Sequence, residues 1–258
     1  MNRAEPDGVP LPEGRTAVGN EPFHFACHPG VSCFLTCCHK VEMYLYPYDI
    51  VRLKNRLGLH SAQFMQRHTR LAEGSHPYFP AVMLNMAEDQ GYPCPFLNSD
   101  GCSVYRDRPS ACRTYPLERA VEHRPGRDGL KIHYFMTHHP YCKGHQEERT
   151  YTVAQWERDQ FLFDYNRMND QWALVDAFFA TNPWQGEGKA GPRQQLAFMV
   201  CYNIDAFREY MNQHRLLKRF RLSKDTRRRI ERDDEALLSF GFDWLLFVLG
   251  DRPTLIPR

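Results

Sequence analysis

The sequence predicts an α+β protein, predominantly helical, with irregular cysteine-rich ligand loops and a small hairpin packed against C-terminal helices. Three observations carry this reading. Eight of the nine cysteines crowd between Cys27 and Cys142. Lys131 to Met136 alternates partly, as a strand does, and follows a turn-rich stretch, Arg124-Pro-Gly-Arg-Asp-Gly129, which predicts a hairpin from about Leu117 to Met136. Beyond residue 150 the pattern changes to long helical periods with one cysteine. The expected organisation is a flexible tail over 1–22, a cysteine-cluster module over 23–150, and a helical region over 151–258 that packs on it as one compact unit.

Each element has a local reason. Residues 1–22 are rich in Pro, Gly and charge, which disfavours packing. Residues 23–40 hold four cysteines and read as an irregular loop. Asp49 is placed to cap a helix whose Ile50, Leu53 and Leu57 share a face, and Gly58 suits its end. Ser61 is placed to cap a second helix, with Phe64, Met65 and Leu71 turned inward. Tyr78 to Met86 follows Gly74 and Pro77 and reads as extended. Thr152 to Phe179, Gln194 to about Phe220, and Ser223 to Leu249 are helical stretches, with a Pro/Gly-rich break over Asn182 to Pro192. Ser223 is an N-cap for the last. The aromatics Trp156, Trp172, Phe178 and Phe179 read as core.

Composition excludes several classes of function. With 42% hydrophobic residues, 25% charged residues and a formal net charge of +2, the 258-residue chain has no global attraction for nucleic acid or an anionic membrane. The apolar run Phe242 to Leu249 falls far short of the roughly 20 residues a spanning helix needs. The N-terminal stretch MNRAEPDGVPLPEG lacks the pattern of a signal peptide, so the expected location is cytoplasmic. In a reducing compartment, clustered cysteines call for an explanation other than disulfides.

The first cysteine group is Cys27-HPGVS-Cys33-FLT-Cys37-Cys38, and the second is Cys94-PFLNSDG-Cys102-SVYRDRPSA-Cys112; Cys142 follows in HHPYCKG. Thiolates are soft, strong ligands, and near neighbours in sequence chelate at little loop-closure cost. All eight are therefore candidate metal ligands. Gly30, Gly101 and Gly144 give the loops freedom to turn, while Pro29, Pro93 and Pro95 stiffen them. Cys37-Cys38 is informative, because neighbouring side chains diverge; the pair bridges two sites or supplies one ligand and one supporting thiol. Eight thiols fill two four-thiolate sites, or one cluster with thiols to spare. Cys201, in the apolar run LAFMVCY, reads as core. His28, His39, His138, His139 and His145 flank the cysteines, but none shows finger spacing.

These residues resemble the YkgJ-like cysteine-cluster family, with its CxxCxxCC element. The resemblance rests on FACHPGVSCFLTCCHK, YPYDIVRLKNRLGL and CPFLNSDGCSVYRDRPSACRTYP and spans about residues 23 to 145. It implies a zinc- or iron-chelating domain and implies no reaction. The five residues between Cys27 and Cys33, and three between Cys33 and Cys37, depart from the compact family spacing. Flagellin lysine N-methylases share a related cysteine pattern, but no glycine-rich S-adenosylmethionine element is evident here.

Irregular spacing and an adjacent cysteine pair favour an iron–sulfur cluster, a 4Fe–4S centre foremost, over zinc. The leading expectation is a metal-binding protein, a redox or maturation accessory with a protein partner. The alternatives are a zinc-stabilised interaction module and a cluster-containing protein-modifying enzyme. No catalytic motif stands out. Two charged features read as structural: Tyr105-Arg-Asp-Arg-Pro109, where an Arg–Asp pair fixes a loop, and KRFRLSKDTRRRIER over 218–232. The latter has eight basic and two acidic residues but precedes Asp233-Asp-Glu235, which is placed to neutralise it.

Overall fold

The computed structural model describes residues 15–123 and 130–258. In chain order its regular elements are β1 (Arg15–Ala17), β2 (Phe23–His24), β3 (Tyr44–Leu45), α1 (Pro47–Leu57), α2 (Ser61–His68), β4 (Thr69–Ala72), β5 (Ala81–Leu84), β6 (Leu97–Asn98), β7 (Gly101–Cys102), α3 (Ser110–Thr114), β8 (Leu117–His123), β9 (Leu130–Thr137), β10 (Thr150–Tyr151), α4 (Val153–Asp159), α5 (Phe163–Phe179), α6 (Pro192–Tyr202), α7 (Ile204–Gln213), α8 (Lys224–Arg232) and α9 (Asp234–Gly250). Helices with small antiparallel sheets make this an α+β fold, as expected.

The chain forms two units that interleave along the sequence. The first takes the described residues up to Val41, Met86–Gly101 and Ser110–Asp164; the second takes Glu42–Asn85, Cys102–Pro109 and Tyr165–Arg258. The sequence placed one boundary near residue 150. The difference has a packing cause: Ile50, Leu53 and Phe64, all at most 1% exposed, turn α1 and α2 onto α6, α7 and α9. Those two helices therefore belong with the helical unit, although they lie between the cysteine groups in sequence.

In the first unit the expected hairpin is present. β8 and β9 pair antiparallel from Leu117↔Met136 to His123↔Leu130. The turn at 124–129 lies outside the described residues, as do residues 1–14 of the expected tail. Within that expected tail, Arg15–Ala17 instead forms β1, paired to Thr137–Phe135 of β9. An ion pair between Arg15 Nε and Glu118 Oε2 at 2.5 Å, and the Thr137 hydroxyl donating to Glu118, tie the strand down. β2 pairs with β10. Behind it, Trp156 stands edge-on to Phe25, with centroids 5.5 Å apart, and donates Nε1–H to the Thr114 carbonyl.

In the second unit, β3, β5 and β4 form an antiparallel sheet beside α1 and α2. Tyr46, not Asp49, is the N-cap of α1; Asp49 sits three residues inside and accepts the Tyr46 N–H at 2.9 Å. His60, not Ser61, caps α2, through Nδ1 accepting from Ala62. Ser61 is buried and its hydroxyl donates to Asn203. Leu71, on the edge strand β4, is 61% exposed rather than turned inward. The long C-terminal stretches are each broken: Thr152 caps α4, a break at 160–162 precedes α5, Asn203 separates α6 from α7, and Asp233 separates α8 from α9. Trp172, Phe178 and Phe179 are buried as expected, and Gly241 lets α9 approach α6, since a Cβ there would lie 2.6 Å from Val200. Among the described residues no helix is long and apolar enough to cross a membrane.

Candidate metal centre

Seven of the eight clustered cysteines, Cys27, Cys33, Cys37, Cys38, Cys94, Cys112 and Cys142, lie in the first unit. Cys102 lies in the second, where burial raises its pKa, opposed by the Val104 backbone N–H and the Arg108 charge. Cys201 is 1% exposed in α6 and its thiol is pushed well up by burial, which makes it the core residue expected.

Backbone pairing brings the first-unit cysteines together. Thr36–Cys38 is a tight 3-10 turn, with Cys38 N–H bonded to the Leu35 carbonyl at 2.9 Å. Leu35 (φ 67°) and Lys40 (φ 53°) flank it in the left-handed region, a conformation that costs a non-glycine residue about 1–2 kcal/mol. Residues 38–40 then run antiparallel to 92–94: Cys94 N–H donates to Cys38 O at 2.7 Å, His39 bridges Pro93, and Lys40 N–H donates to Tyr92 O. This lays Cys38 beside Cys94. Phe25 and Ala26 are stitched to 144–149 by Phe25 N–H to Arg149 O and Ala26 N–H to Gly144 O. Gly144 is required there, because a Cβ would meet Ala26 O at 2.6 Å and the Phe25 ring at 2.7 Å. The Lys143 N–H donates to Cys33 Sγ at 3.1 Å. Cys33 and Cys142 are thus neighbours across the same loop.

The electrostatics follow this placement. The hydrogen bond from Cys38 lowers the Cys37 pKa to about 7, against the opposing effect of burial. Cys38 is driven far up in return, first by that bond and burial, then by the charges of Cys37, Cys112 and Cys94. Four thiols from three chain segments therefore share one field. The Tyr115 hydroxyl is buried and makes no hydrogen bond of proper geometry among the described residues. Its pKa is raised by burial and then by the adjacent Cys142 thiol, with Cys37 contributing. A buried phenol without a partner is costly, and a thiolate is the acceptor at hand. Tyr141 feels Cys37, Cys142 and Cys33.

The histidines are occupied otherwise. His28 accepts the Gly30 N–H and bonds Glu147 at 3.1 Å; His39 bonds the Leu35 carbonyl. His138 lies tilted against His145 with centroids 4.6 Å apart, and His139 stacks between Tyr115 and Tyr141. The His145 pKa is lowered by burial and then by the charge of His138, so it stays neutral at pH 7. Among the described residues no three His, Cys, Asp or Glu side chains are gathered tightly enough to hold an ion as they stand. All nine thiols are free of disulfides. The donor set nonetheless fits a soft metal: it is all sulfur, with the Lys143 N–H and the Tyr115 O–H ready to satisfy thiolate lone pairs.

Residues 26–143 match the family model CxxCxxCC, “Putative zinc- or iron-chelating domain”. The family resemblance read from the sequence holds over this segment. No curated protein and no solved structure matches the chain. The CxxCxxCC segment begins one residue before Cys27 and ends one residue after Cys142, so it encloses all eight clustered cysteines, and it supports chelation of zinc or iron. The expected Arg–Asp pair of the 105–109 loop takes a different form. Asp107 pairs with Arg52 of α1 at 2.5 Å, and Arg108 covers the Tyr105 ring at 4.1 Å. Arg113 is buried and donates to the Gln160 carbonyl. Sequence reasoning missed Tyr115 and the Lys143 N–H; the only signal for either was nearness to Cys112 and Cys142.

Proposed function

We propose that the first unit holds one iron–sulfur cluster through Cys37, Cys38, Cys94 and Cys112, with Cys27, Cys33 and Cys142 as flanking thiols. The single observation that carries this reading is the backbone pairing that lays Cys94 beside Cys38 and its neighbour Cys37, with the charges of Cys94 and Cys112 acting on Cys38. Adjacent cysteines serve one zinc ion poorly, because their side chains diverge. In a cubane each thiolate takes a different iron, so divergence is no obstacle.

Such a cluster supplies one-electron transfer when bound. The chain's own residues do the rest. The Thr36–Cys38 turn and the Cys38–Cys94 backbone bond set two segments in register. The Lys143 N–H steadies Cys33, and the Tyr115 hydroxyl faces Cys142. Among the described residues no group in the site has the arrangement of a nucleophile with its base, so the favoured role is electron transfer or cluster handling with a protein partner rather than catalysis on a substrate.

The test is anaerobic purification with iron, zinc and sulfide counted per chain, together with a visible spectrum. A brown protein with matching iron and sulfide is expected, lost in Cys38→Ser and kept in Cys201→Ser and Cys102→Ser. Zinc without sulfide overturns the cluster. Loss of metal in Cys102→Ser overturns the assignment to the first unit.

A further inference from the structure

The basic stretch 218–232 keeps its charge. The three acidic residues that follow it are all engaged elsewhere in the second unit. Asp233 Oδ1 accepts the Glu235 and Ala236 N–H groups as the cap of α9. Asp234 pairs with Lys54 at 2.8 Å and Arg208 at 2.7 Å. Glu235 accepts the Tyr48 hydroxyl at 2.6 Å and pairs with Arg167. The ion pairing expected from the sequence therefore does not form: Asp234 and Glu235 have partners in the packed unit, and Asp233 is held by backbone N–H groups of its own helix.

What remains is organised. Lys224, Arg227, Arg228 and Arg232 fall at i, i+3, i+4 and i+8, one face of α8. The last residues of the chain add a fifth cation. Arg221 N–H donates to Ile256 O, Phe220 bridges Pro257, and Arg258 N–H donates to Arg219 O, which holds Arg258 beside the segment that leads into α8. These five side chains, with Glu231 and Leu222, line a hollow of about 430 Å³. Among the described residues none of the five has a carboxylate within 4.0 Å. Arg227 is anchored by donating to the Phe220 carbonyl.

We propose that this hollow binds an oligophosphate, free or as the tail of a nucleotide. Four of the five cations are arginine, whose planar fork matches phosphate oxygens two at a time. Lys224 to Arg232 covers about 12 Å of helix, enough to meet several phosphoryl groups rather than one. The lining itself has no aromatic ring on which a base could stack, and its one apolar side chain is Leu222, so within the hollow a nucleic-acid strand or an acidic peptide finds charge contacts alone. The assignment is independent of the metal centre.

Titration of the full-length protein with inorganic tripolyphosphate by calorimetry, at 150 mM salt, tests it. One-to-one binding is expected, at least tenfold tighter than orthophosphate. Arg228→Gln/Arg232→Gln should weaken it tenfold or more, as should Arg258→Gln in part, while Arg229→Gln, outside the lining, leaves it unchanged. Metal content and melting temperature should not move in any of these exposed-site variants. ATP binding as tightly as tripolyphosphate fits the nucleotide-tail source, and tripolyphosphate alone fits the free source. No saturable binding at this salt, an equal loss in Arg229→Gln, or tighter and longer-footprint binding of a single-stranded oligonucleotide would each overturn the proposal.

Discussion

Gly144→Ala is the sharpest probe of how the cysteine loops are held. The added Cβ would lie 2.6 Å from the Ala26 carbonyl oxygen and 2.7 Å from Phe25 Cε2, where comfortable contact begins at about 3.5 Å. Neither neighbour yields easily. Ala26 O is backbone, and Phe25, 2% exposed, is wedged between Trp156, Tyr115 and His145. Relief must open the Ala26 N–H···O Gly144 bond. Overpacking costs about 1–3 kcal/mol and the lost bond about 1 kcal/mol. Restricting the unfolded chain returns about 0.4–1 kcal/mol, since Gly144 has an ordinary backbone conformation. The net is about 2 kcal/mol, which lowers the melting temperature by about 4–8 °C for a chain of this size. Because the same link carries Cys27 and Cys142, bound metal should fall as well. Gly19→Ala, with nothing within 4 Å, is the control and should not destabilise. Thermal melting followed by circular dichroism reads both. A Gly144→Ala protein that melts within about a degree of the parent would refute the stitched-loop account.

Two further outcomes follow from the side-chain networks. Lys54, 6% exposed, pairs with Asp205 at 3.0 Å and Asp234 at 2.8 Å. Both carboxyls resist an upward push from burial and end below their usual range, Asp205 mainly through the Ser61 N–H and Lys54, Asp234 through Lys54 and Arg208. A lowered carboxylate pKa contributes stability above the unfolded value of about 3.9 and loses it as pH falls through the folded value. Urea midpoints should therefore drop between pH 6 and pH 3. Lys54→Met should cost about 2–3 kcal/mol at pH 6 and flatten that slope. Asp243, which burial pushes upward, opposes the trend equally in both proteins and cancels in the comparison. An unchanged slope in Lys54→Met would refute the assignment. Tyr115→Phe keeps the ring packed on Phe25 and His139 but removes the hydroxyl beside Cys142, so chelator competition should show metal held about tenfold less tightly at an unchanged melting temperature. Equal affinity would leave Tyr115 with a packing role alone.

The sequence by itself determined the chemistry of this protein: thiol-rich loops, a hairpin at 117–137, helices after 150 and a ninth cysteine set in an apolar run. Those features are local, because side-chain softness, turn residues and apolar periodicity act over a few positions. It also located the helix beginning near Asp49, while misplacing its cap by three residues, since the Asp49 carboxylate accepts the Tyr46 N–H from inside the helix rather than capping it from outside. Tertiary structure decided what depends on distant partners. It placed Cys102 with the helical unit although its sequence neighbours Cys94 and Cys112 lie in the other. It set Cys38 beside Cys94 through one backbone bond across 56 positions. It also took Asp234 and Glu235 away from the arginines beside them, while Asp233 serves locally as the cap of α9. A carboxylate goes to the partner that is buried and preorganised, and in the second unit Lys54, Tyr48 and Arg208 meet that condition better than the exposed cations of α8. Proximity along the chain cannot report that competition, because burial is a property of the assembled unit.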